Sequence, residues 1–134
     1  MSREKIQPEH LARPAFVYVR QSTLDQVRHH HESQRLQYGL ADHARALGWR
    51  EVVVIDDDLG KSGASAAGRV GFQRLVATVG LGQVGAIFGS EVSRLARNNR
   101  DWYHLLDLCG LLNTLIIDTE GIYDPRQLND RLLL

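Results

Sequence analysis

The chain has 134 residues, of which 43% are hydrophobic, so it can bury one substantial core but hardly two. Its formal net charge is zero, which gives no overall electrostatic attraction to a polyanion, so any contact with nucleic acid has to be local. No stretch approaches the roughly 18 consecutive apolar residues of a membrane helix, and the first residues lack the apolar centre of a secretory signal, so a single cytoplasmic domain is expected.

Four short apolar segments alternate along the chain with longer segments that have helical spacing. Residues 1–14 are polar, show no period and are predicted to form an N-terminal arm. Strands are predicted at residues 15–19, 52–55, 86–88 and 114–117. Helices are predicted at residues 36–47, 71–79 and 101–112. The last helix is apolar on most sides and is expected to be well buried.

The alternation of strand and helix predicts the α/β class, with a mostly parallel central sheet flanked by helices on both faces. In such sheets, ligands bind outside the carboxyl ends of the strands. The segments that follow the four predicted strands are polar or charged, and they are residues 20–22, 56–58, 90–97 and 118–120. A functional site is therefore expected at this edge.

Several local patterns that resemble ligand sites are better explained as structure. GLGQVG, at 80–85, leaves a helix and leads into a strand, which reverses the order of a dinucleotide-binding motif, so a turn is expected. LGKSG, at 59–63, lacks the first glycine of a P-loop and follows three aspartates. The consecutive histidines at 29–31 seldom converge on one metal ion, so a solvated loop is expected. Cys109 stands alone in an apolar run and is predicted to be a core residue.

Arginines from three separate segments follow the predicted strands. Arg94 and Arg97 are three residues apart and would project from one face of a helix. Arg69 follows the second strand and its loop, and Arg20 follows the first strand, two residues before Ser22. These cations could therefore converge around the serine at one edge of the sheet.

A structural alternative exists for the pair of arginines after the third strand. Arg94 and Arg97 would then solvate a helix and pair with Glu91 and Asp101. The arginine and serine at the end of the first strand favour the functional interpretation.

Guanidinium groups around a serine suit the chemistry of phosphate better than acyl transfer. Acyl transfer calls for a histidine base with an acidic partner, and the histidines at 10, 43 and 104 lie on the arm or within helical patterns. A cage of arginines neutralises phosphate oxygens and stabilises the transition state without a metal ion. The sequence therefore predicts phosphoryl transfer to Ser22.

Five short elements, taken together in their order and spacing, are typical of one family. They are YVRQST (18–23), the glutamines at 26 and 34, SG (62–63), GRVGF (68–72) and SRLAR (93–97). The chain resembles the N-terminal catalytic domain of serine recombinases, the group of resolvases, invertases and large integrases. The resemblance covers residues 15–125.

The resemblance implies that Ser22 attacks a DNA phosphodiester, forming a 5′-phosphoserine bond and releasing a 3′-hydroxyl. The phosphate-binding positions of the family are matched by Arg20, Arg69, Arg94 and Arg97, and its supporting positions by Gln26, Gln34, Asp58 and Ser93. No metal ion or nucleotide is implied. The resemblance implies a bacterial, chromosome-associated protein whose partner is DNA. The full-length protein is expected to form a homodimer, and two dimers to assemble into a synaptic tetramer for strand exchange and religation. The outcome would be integration or another rearrangement of a mobile element.

Three positions depart from the family pattern. Gln21 stands where valine is usual, between two outward-pointing residues. Ser93 occupies the position at which small resolvases carry an aspartate, which puts that aspartate's role in doubt and leaves Glu91 as a candidate for it. The loop between Gln26 and Gln34 is longer than in small resolvases and looks more like the large or transposon-borne members.

The end of the chain stops at three leucines, and residues 126–134 are predicted to start a connecting and dimerisation helix. On this interpretation the chain is a fragment that is inactive alone. The alternative is a leucine-ended tail that packs back on the domain.

Two other functions remain open at this point. One is a phosphatase or phosphotransferase that acts on small phosphoesters through the same arginines and a phosphoserine. The other is a receiver-like or structural domain in which the aspartates at 56–58 bind a divalent ion.

Overall fold

A computed structural model describes residues 5–18, 30–55, 70–89, 99–118 and 121–127 of the chain. The strands in this part of the chain are β1 (Ala15–Tyr18), β2 (Val52–Ile55), β3 (Ala86–Phe88), β4 (Leu115–Ile117) and β5 (Ile122–Tyr123). The helices are α1 (Pro8–Leu11), α2 (His30–Leu47), α3 (Val70–Gly80) and α4 (Asn99–Leu112). No helix in the described residues is both long and apolar enough to span a membrane.

The strands form one sheet in the order β2-β1-β3-β4-β5. The first four strands are parallel, and β5 runs antiparallel to β4. The four strands predicted from the sequence are confirmed, as is the mostly parallel α/β class. β5 was not predicted because a strand of two residues is too short to show an alternation of apolar and polar side chains.

Helices cover both faces of the sheet, and alternate residues of each strand point to each face. On the front face, defined by α2, Val17 packs with Leu40 and Ala44. On the back face, defined by α3 and α4, Phe16 and Tyr18 are buried in the other core cluster. In the sheet, β2 lies on one side of β1 and β3 lies on the other, so the connections β1-α2-β2 and β2-α3-β3 run in opposite directions across the sheet. Because such crossovers are right-handed, α2 and α3 lie on opposite faces.

Helix α4 is buried on one side only, although its sequence is apolar on most sides and predicted that it would be well buried. Leu105, Leu106 and Cys109 are buried against the back face, as predicted for the cysteine. Burial raises the pKa of the Cys109 thiol to about 12, which leaves it protonated at neutral pH. Tyr103 and Leu111 point away from the sheet and are 56% and 80% exposed. A helix that lies on a sheet has room for only one face in contact with it, whatever its composition.

The residues before β1, predicted as a polar arm, include a segment that packs against the domain. Within residues 5–14, the side chains of Ile6 and Leu11 pack against the front-face core. The Lys5 ammonium group donates a hydrogen bond to the carbonyl of Ile122 in β5, at 3.0 Å. Single apolar anchors separated by polar residues give no helical or strand period, so the sequence did not reveal this packing.

A buried histidine fixes this N-terminal segment to the end of α4. Nδ1 of His10 accepts a hydrogen bond from the Gln7 backbone N–H at 2.8 Å, so the ring proton lies on Nε2 and is donated to Oδ1 of Asn113, also at 2.8 Å. Asn113 adopts φ 56° directly after α4 and ends the helix in the left-handed conformation that asparagine tolerates. The Arg13 guanidinium donates to the carbonyls of Leu112 and Asn113.

A tight turn follows β5. Because β5 runs antiparallel to β4, this turn lies at the edge of the sheet where the four parallel strands begin, here called the amino edge. Asp124 is 3% exposed and accepts hydrogen bonds from the backbone and guanidinium of Arg126. Burial alone would raise the pKa of Asp124, but the hydrogen bonds and charge of Arg126 leave it below its usual value. Gln127 donates its backbone N–H to the Asp124 carbonyl, so residues 126 and 127 belong to this turn and not to the helix predicted from residue 126.

Gly85, in the turn before β3, has no room for a side chain. A Cβ atom there would collide with the His10 carbonyl oxygen and approach the indole Nε1 of Trp49 to 2.9 Å. The same indole N–H donates to the His10 carbonyl at 2.8 Å. The N-terminal segment therefore packs backbone to backbone against the turn before β3.

Substitution of Gly85 by alanine is expected to lower the free energy of unfolding by about 3 kcal/mol, because the methyl group forces the N-terminal segment away and breaks the Trp49 hydrogen bond. Urea unfolding of the chain measures this. Gly39→Ala is the control: among the described residues, no atom outside its own stretch of α2 lies within 4 Å of the Cβ position, and helix propensity predicts a gain of about 0.5–1 kcal/mol. An equal effect at both positions would contradict the close packing at Gly85.

The stability of the chain is expected to fall as the pH drops below about 6.5, the usual pKa of histidine. Burial lowers the pKa of His10, an effect that the Asn113 hydrogen bond partly offsets and that the charge of Arg13 reinforces. Below that pH, the unfolded chain gains a proton that the folded His10 does not bind, so the unfolded state is favoured. Above it, both states are neutral at this residue and no such loss occurs.

Unfolding free energies measured from pH 7.5 to 5 test this dependence. The His10→Gln variant should show a shallower decline than the wild type, and His104→Gln, which removes a histidine at an exposed position of α4, is measured beside it as the control. Equal slopes in all three proteins would show that His10 binds its proton equally in the folded and unfolded states.

Candidate functional site at the carboxyl edge of the sheet

The carboxyl ends of the four parallel strands lie together at one edge, here called the carboxyl edge. Tyr18 is aligned with Ile55 across β1 and β2, and Phe88 is aligned with Val17 and Ile117 across β1, β3 and β4. The strands that follow β1 in sequence lie on its two sides, β2 on one and β3 on the other. This reversal is a topological switch point, and in open α/β sheets the crevice outside it is where ligands bind.

Almost all of the site residues predicted from the sequence lie outside the described residues. They are Arg20, Ser22, Gln26, Asp58, Arg69, Ser93, Arg94 and Arg97. The structure describes the strand ends that precede the segments carrying these residues. The segment that carries Arg20 and Ser22 begins after β1, and the one that carries Arg94 and Arg97 begins after β3. The two strand ends that bound the switch point therefore lead into the predicted nucleophile and three of the four predicted arginines.

Gln34 is the one predicted site residue whose backbone is described, and it lies in the first half of α2. The same helix includes His30 and His31, so the solvated loop predicted from the sequence is wrong for both residues. The first turns of α2 carry polar residues, which are compatible with a helix but give no apolar period to reveal it. His29 lies outside the described residues.

Asp118, which directly follows β4 at the carboxyl edge, closes the turn into β5. Its Oδ1 accepts a hydrogen bond from the Gly121 backbone N–H at 2.9 Å, and its own N–H donates to the Gly121 carbonyl at 3.0 Å. The residue is 9% exposed. Asp118 was among the polar residues singled out after the strands, and the structure gives it this role in the turn.

Aromatic side chains hold the strand ends on both faces of the sheet. On the back face, the rings of Tyr18 and Phe72 meet edge to face, with centroids 6.1 Å apart. On the front face, Phe88 meets the rings of Trp49 and His43 at 5.5 and 5.8 Å, again edge to face. Such contacts add to the burial energy and fix the relative orientation of the elements. The ends of β1 and β3 are thus held firmly where the predicted site begins.

The opposite, amino edge carries a cleft that is a poor candidate for a catalytic site. A cleft of about 460 Å³ there is bordered by Arg13, Pro14, Glu51 and Gln83, among others. Its arginine already donates hydrogen bonds to three backbone carbonyls, those of Glu9, Leu112 and Asn113. No group of three or more potential metal ligands gathers in the described parts of the chain.

The glycine-rich segment 80–85 forms a turn between α3 and β3, as the sequence predicted. Gly82 has φ 73°, and its backbone N–H donates to the Val79 carbonyl, which ends the helix. The segment therefore follows a helix, whereas a dinucleotide-binding turn opens one.

Comparison with known proteins gives one family and one fold. Residues 15–134 match the family model described as Resolvase, N terminal domain. A Sinorhizobium fredii (strain NBRC 101917 / NGR234) protein, named uncharacterized protein y4bA/y4pH, is 55% identical over 132 residues. Those residues make up 97% of this chain and 19% of that protein, so the chain spans about a fifth of this relative's length.

Several solved structures share the fold. The N-terminal catalytic domain of TP901-1 integrase has a TM-score of 0.64 at 23% identity, covering 90% of this chain and 88% of its own. A resolvase family site-specific recombinase from Streptococcus pneumoniae has a TM-score of 0.63 at 26% identity, covering 81% and 72%. The C-terminal catalytic domain of ISC1926 TnpA, an IS607-like serine recombinase, has a TM-score of 0.62 at 24% identity, covering 78% and 67%.

Removal of the Asp118 carboxylate is expected to loosen the β4–β5 turn. Asp118→Ala should lower the free energy of unfolding by about 1–2 kcal/mol, because the Gly121 N–H loses its acceptor, and should speed hydrogen exchange at that amide. Asp118→Asn, which keeps an oxygen at Oδ1, should lose less than half as much. Unchanged exchange at Gly121 in the alanine variant would contradict the assigned hydrogen bond.

Proposed function

The chain belongs to the family described as Resolvase, N terminal domain, a serine recombinase catalytic domain family, and from this we propose that its own function is site-specific cleavage and rejoining of DNA with Ser22 as the nucleophile. The observation that carries the proposal is the position of β1, paired on one side with β2 and on the other with β3. The predicted nucleophile and three predicted arginines follow the two strand ends at the switch point. Residues 15–125 would then form the catalytic domain, and residues 126–134 would lead into a connecting helix.

The proposed reaction exchanges one phosphoester bond for another. The Ser22 Oγ attacks the phosphorus of a DNA phosphodiester, forms an Oγ–P bond and gives up its proton. The bond from phosphorus to the 3′ oxygen breaks, and that oxygen takes a proton and leaves as a 3′-hydroxyl. The number of phosphoester bonds is unchanged, so a 3′-hydroxyl from another strand can reverse the step without an external energy source.

Arginine is suited to this reaction because its planar guanidinium group donates paired hydrogen bonds to phosphate oxygens and stays charged at all relevant pH values. In the proposal, Arg20, Arg69, Arg94 and Arg97 bind the non-bridging oxygens and stabilise the charge of the transition state. Polar support comes from Gln26, Gln34, Asp58 and Ser93. No metal ion or nucleotide takes part in the proposed step.

The neutral net charge of the chain limits the affinity of this domain for DNA. We propose that other parts of a longer protein supply DNA binding and the contacts of a dimer and a synaptic tetramer, and that residues 1–134 alone do not cleave DNA. The relative from S. fredii, about five times as long as this chain, is consistent with such an arrangement.

The proposal predicts a covalent protein–DNA adduct on Ser22. A full-length protein that carries this domain is incubated with the DNA that flanks its gene, then denatured, and the linkage is mapped by mass spectrometry. The adduct should form in the presence of a chelator and disappear in Ser22→Ala. Thr23→Ala, which removes the adjacent hydroxyl, is the matched control and should retain at least about half of the adduct.

The small-phosphoester alternative predicts a different result in a separate turnover assay. Turnover of a simple phosphate monoester by residues 1–134, lost in Ser22→Ala, would indicate a small-molecule phosphotransferase. A folded, DNA-bound protein that forms no adduct would contradict the proposed nucleophile.

A further inference from the structure

A buried ring contact joins the end of β1 to the first turn of α3. Tyr18, the last residue of β1, is 2% exposed, and Phe72, the third residue of α3, is 5% exposed. Their ring centroids are 6.1 Å apart, with 66° between the ring planes. Both rings belong to the back-face core, as does Ile55 at the end of β2. The contact therefore lies where β1, β2 and α3 meet.

The two partners stand next to predicted site residues in the chain. Tyr18 precedes Arg20 by two residues and Ser22 by four. Phe72 follows Arg69 by three residues, and Arg69 directly precedes the first residue of α3. The contact thus joins the two chain segments that carry the proposed nucleophile and one of its proposed phosphate ligands.

Both sides of the contact are anchored, so a change in it shifts the first turn of α3 relative to the end of β1. β1 is hydrogen-bonded on both sides, with Tyr18 in register with Ile55. Helix α3 is held along its length by Leu75 and Val79, which are fully buried in the same core. A smaller side chain at position 72 would leave these anchors in place and change how the first turn of α3 sits against the end of β1.

We propose that Phe72 is a positioning residue, whose contact with Tyr18 sets the place of Arg69 relative to Ser22. The proposal rests on the proposed recombinase function. A displacement of about 1 Å between a nucleophile and a charge-stabilising group can reduce a rate by about a hundredfold, while contacts elsewhere still bind the substrate. The ring contact is therefore expected to affect the rate of adduct formation more than DNA affinity.

The test compares the wild type and two variants of the full-length protein in the adduct assay under single-turnover conditions. Phe72→Leu keeps an apolar side chain but removes the ring, and the adduct rate should fall at least about tenfold with DNA affinity within about twofold of the wild type. Ile116→Val is the matched control, because it creates a cavity in the same core on β4, away from the ring contact and from the anchors of α3. It should keep the adduct rate within about twofold at temperatures below its own unfolding.

A double-mutant cycle separates positioning from a general loss of stability. If Phe72 acts through Arg69, Phe72→Leu should cost less than about threefold further in an Arg69→Lys background, although it costs at least about tenfold in the wild type. Additive losses, or a wild-type rate in Phe72→Leu, would overturn the inference. Phe72→Met, which retains more of the buried volume, replaces the leucine variant if that protein does not fold.

The two levels of the proposal fail in different ways. If the wild type forms its adduct on Ser22 and Phe72→Leu forms it equally fast, the positioning role is wrong and the recombinase function stands. If the folded, DNA-bound wild type forms no adduct on Ser22, the proposed function is wrong and the positioning role is overturned with it.

Discussion

β1 pairs with a strand on each of its sides, and this pairing determines where the helices and the proposed site lie. β1 is hydrogen-bonded to β2 and β3 in register, and its residues point alternately into the two cores. Because the chain reverses direction across β1, the helices lie on opposite faces and a crevice is expected at the carboxyl end of this strand. The short sequence after Tyr18 thus begins at the place in the sheet that is best suited to ligand binding.

The two edges of the sheet have different physical characters. At the amino edge, the described polar groups largely bond to one another: Arg13 to backbone carbonyls, His10 to Asn113, and Asp124 to Arg126. These bonds stabilise the fold and hold the N-terminal segment against the end of α4. At the carboxyl edge, aromatic contacts fix the strand ends while the chain departs into segments rich in arginine. Stability and proposed catalysis are therefore assigned to opposite ends of the same strands.

The sequence predicted the parallel strands well because each is a compact apolar run between turn-forming residues. It missed β5, whose pairing depends on Asp118 and its neighbours, and it assigned His30 and His31 to a loop, since polar helix turns carry no period. It also missed the docking of residues 5–14, which rests on a buried histidine and a glycine without room for a Cβ. The predicted site could be placed only as far as its strand ends, and the roles of Ser22 and its arginines remain predictions.

An NMR titration of the 134-residue chain with inorganic phosphate and with a short DNA duplex tests directly whether phosphate binds at the carboxyl edge. If it does, the backbone amide signals of Tyr18, Gly89 and Asp118 should shift with both ligands, and those of Gly85 and Asn113 at the amino edge should not. Shifts confined to the amino edge, around Arg13 and Arg50, would contradict binding at the carboxyl edge and move the candidate site to the other end of the sheet.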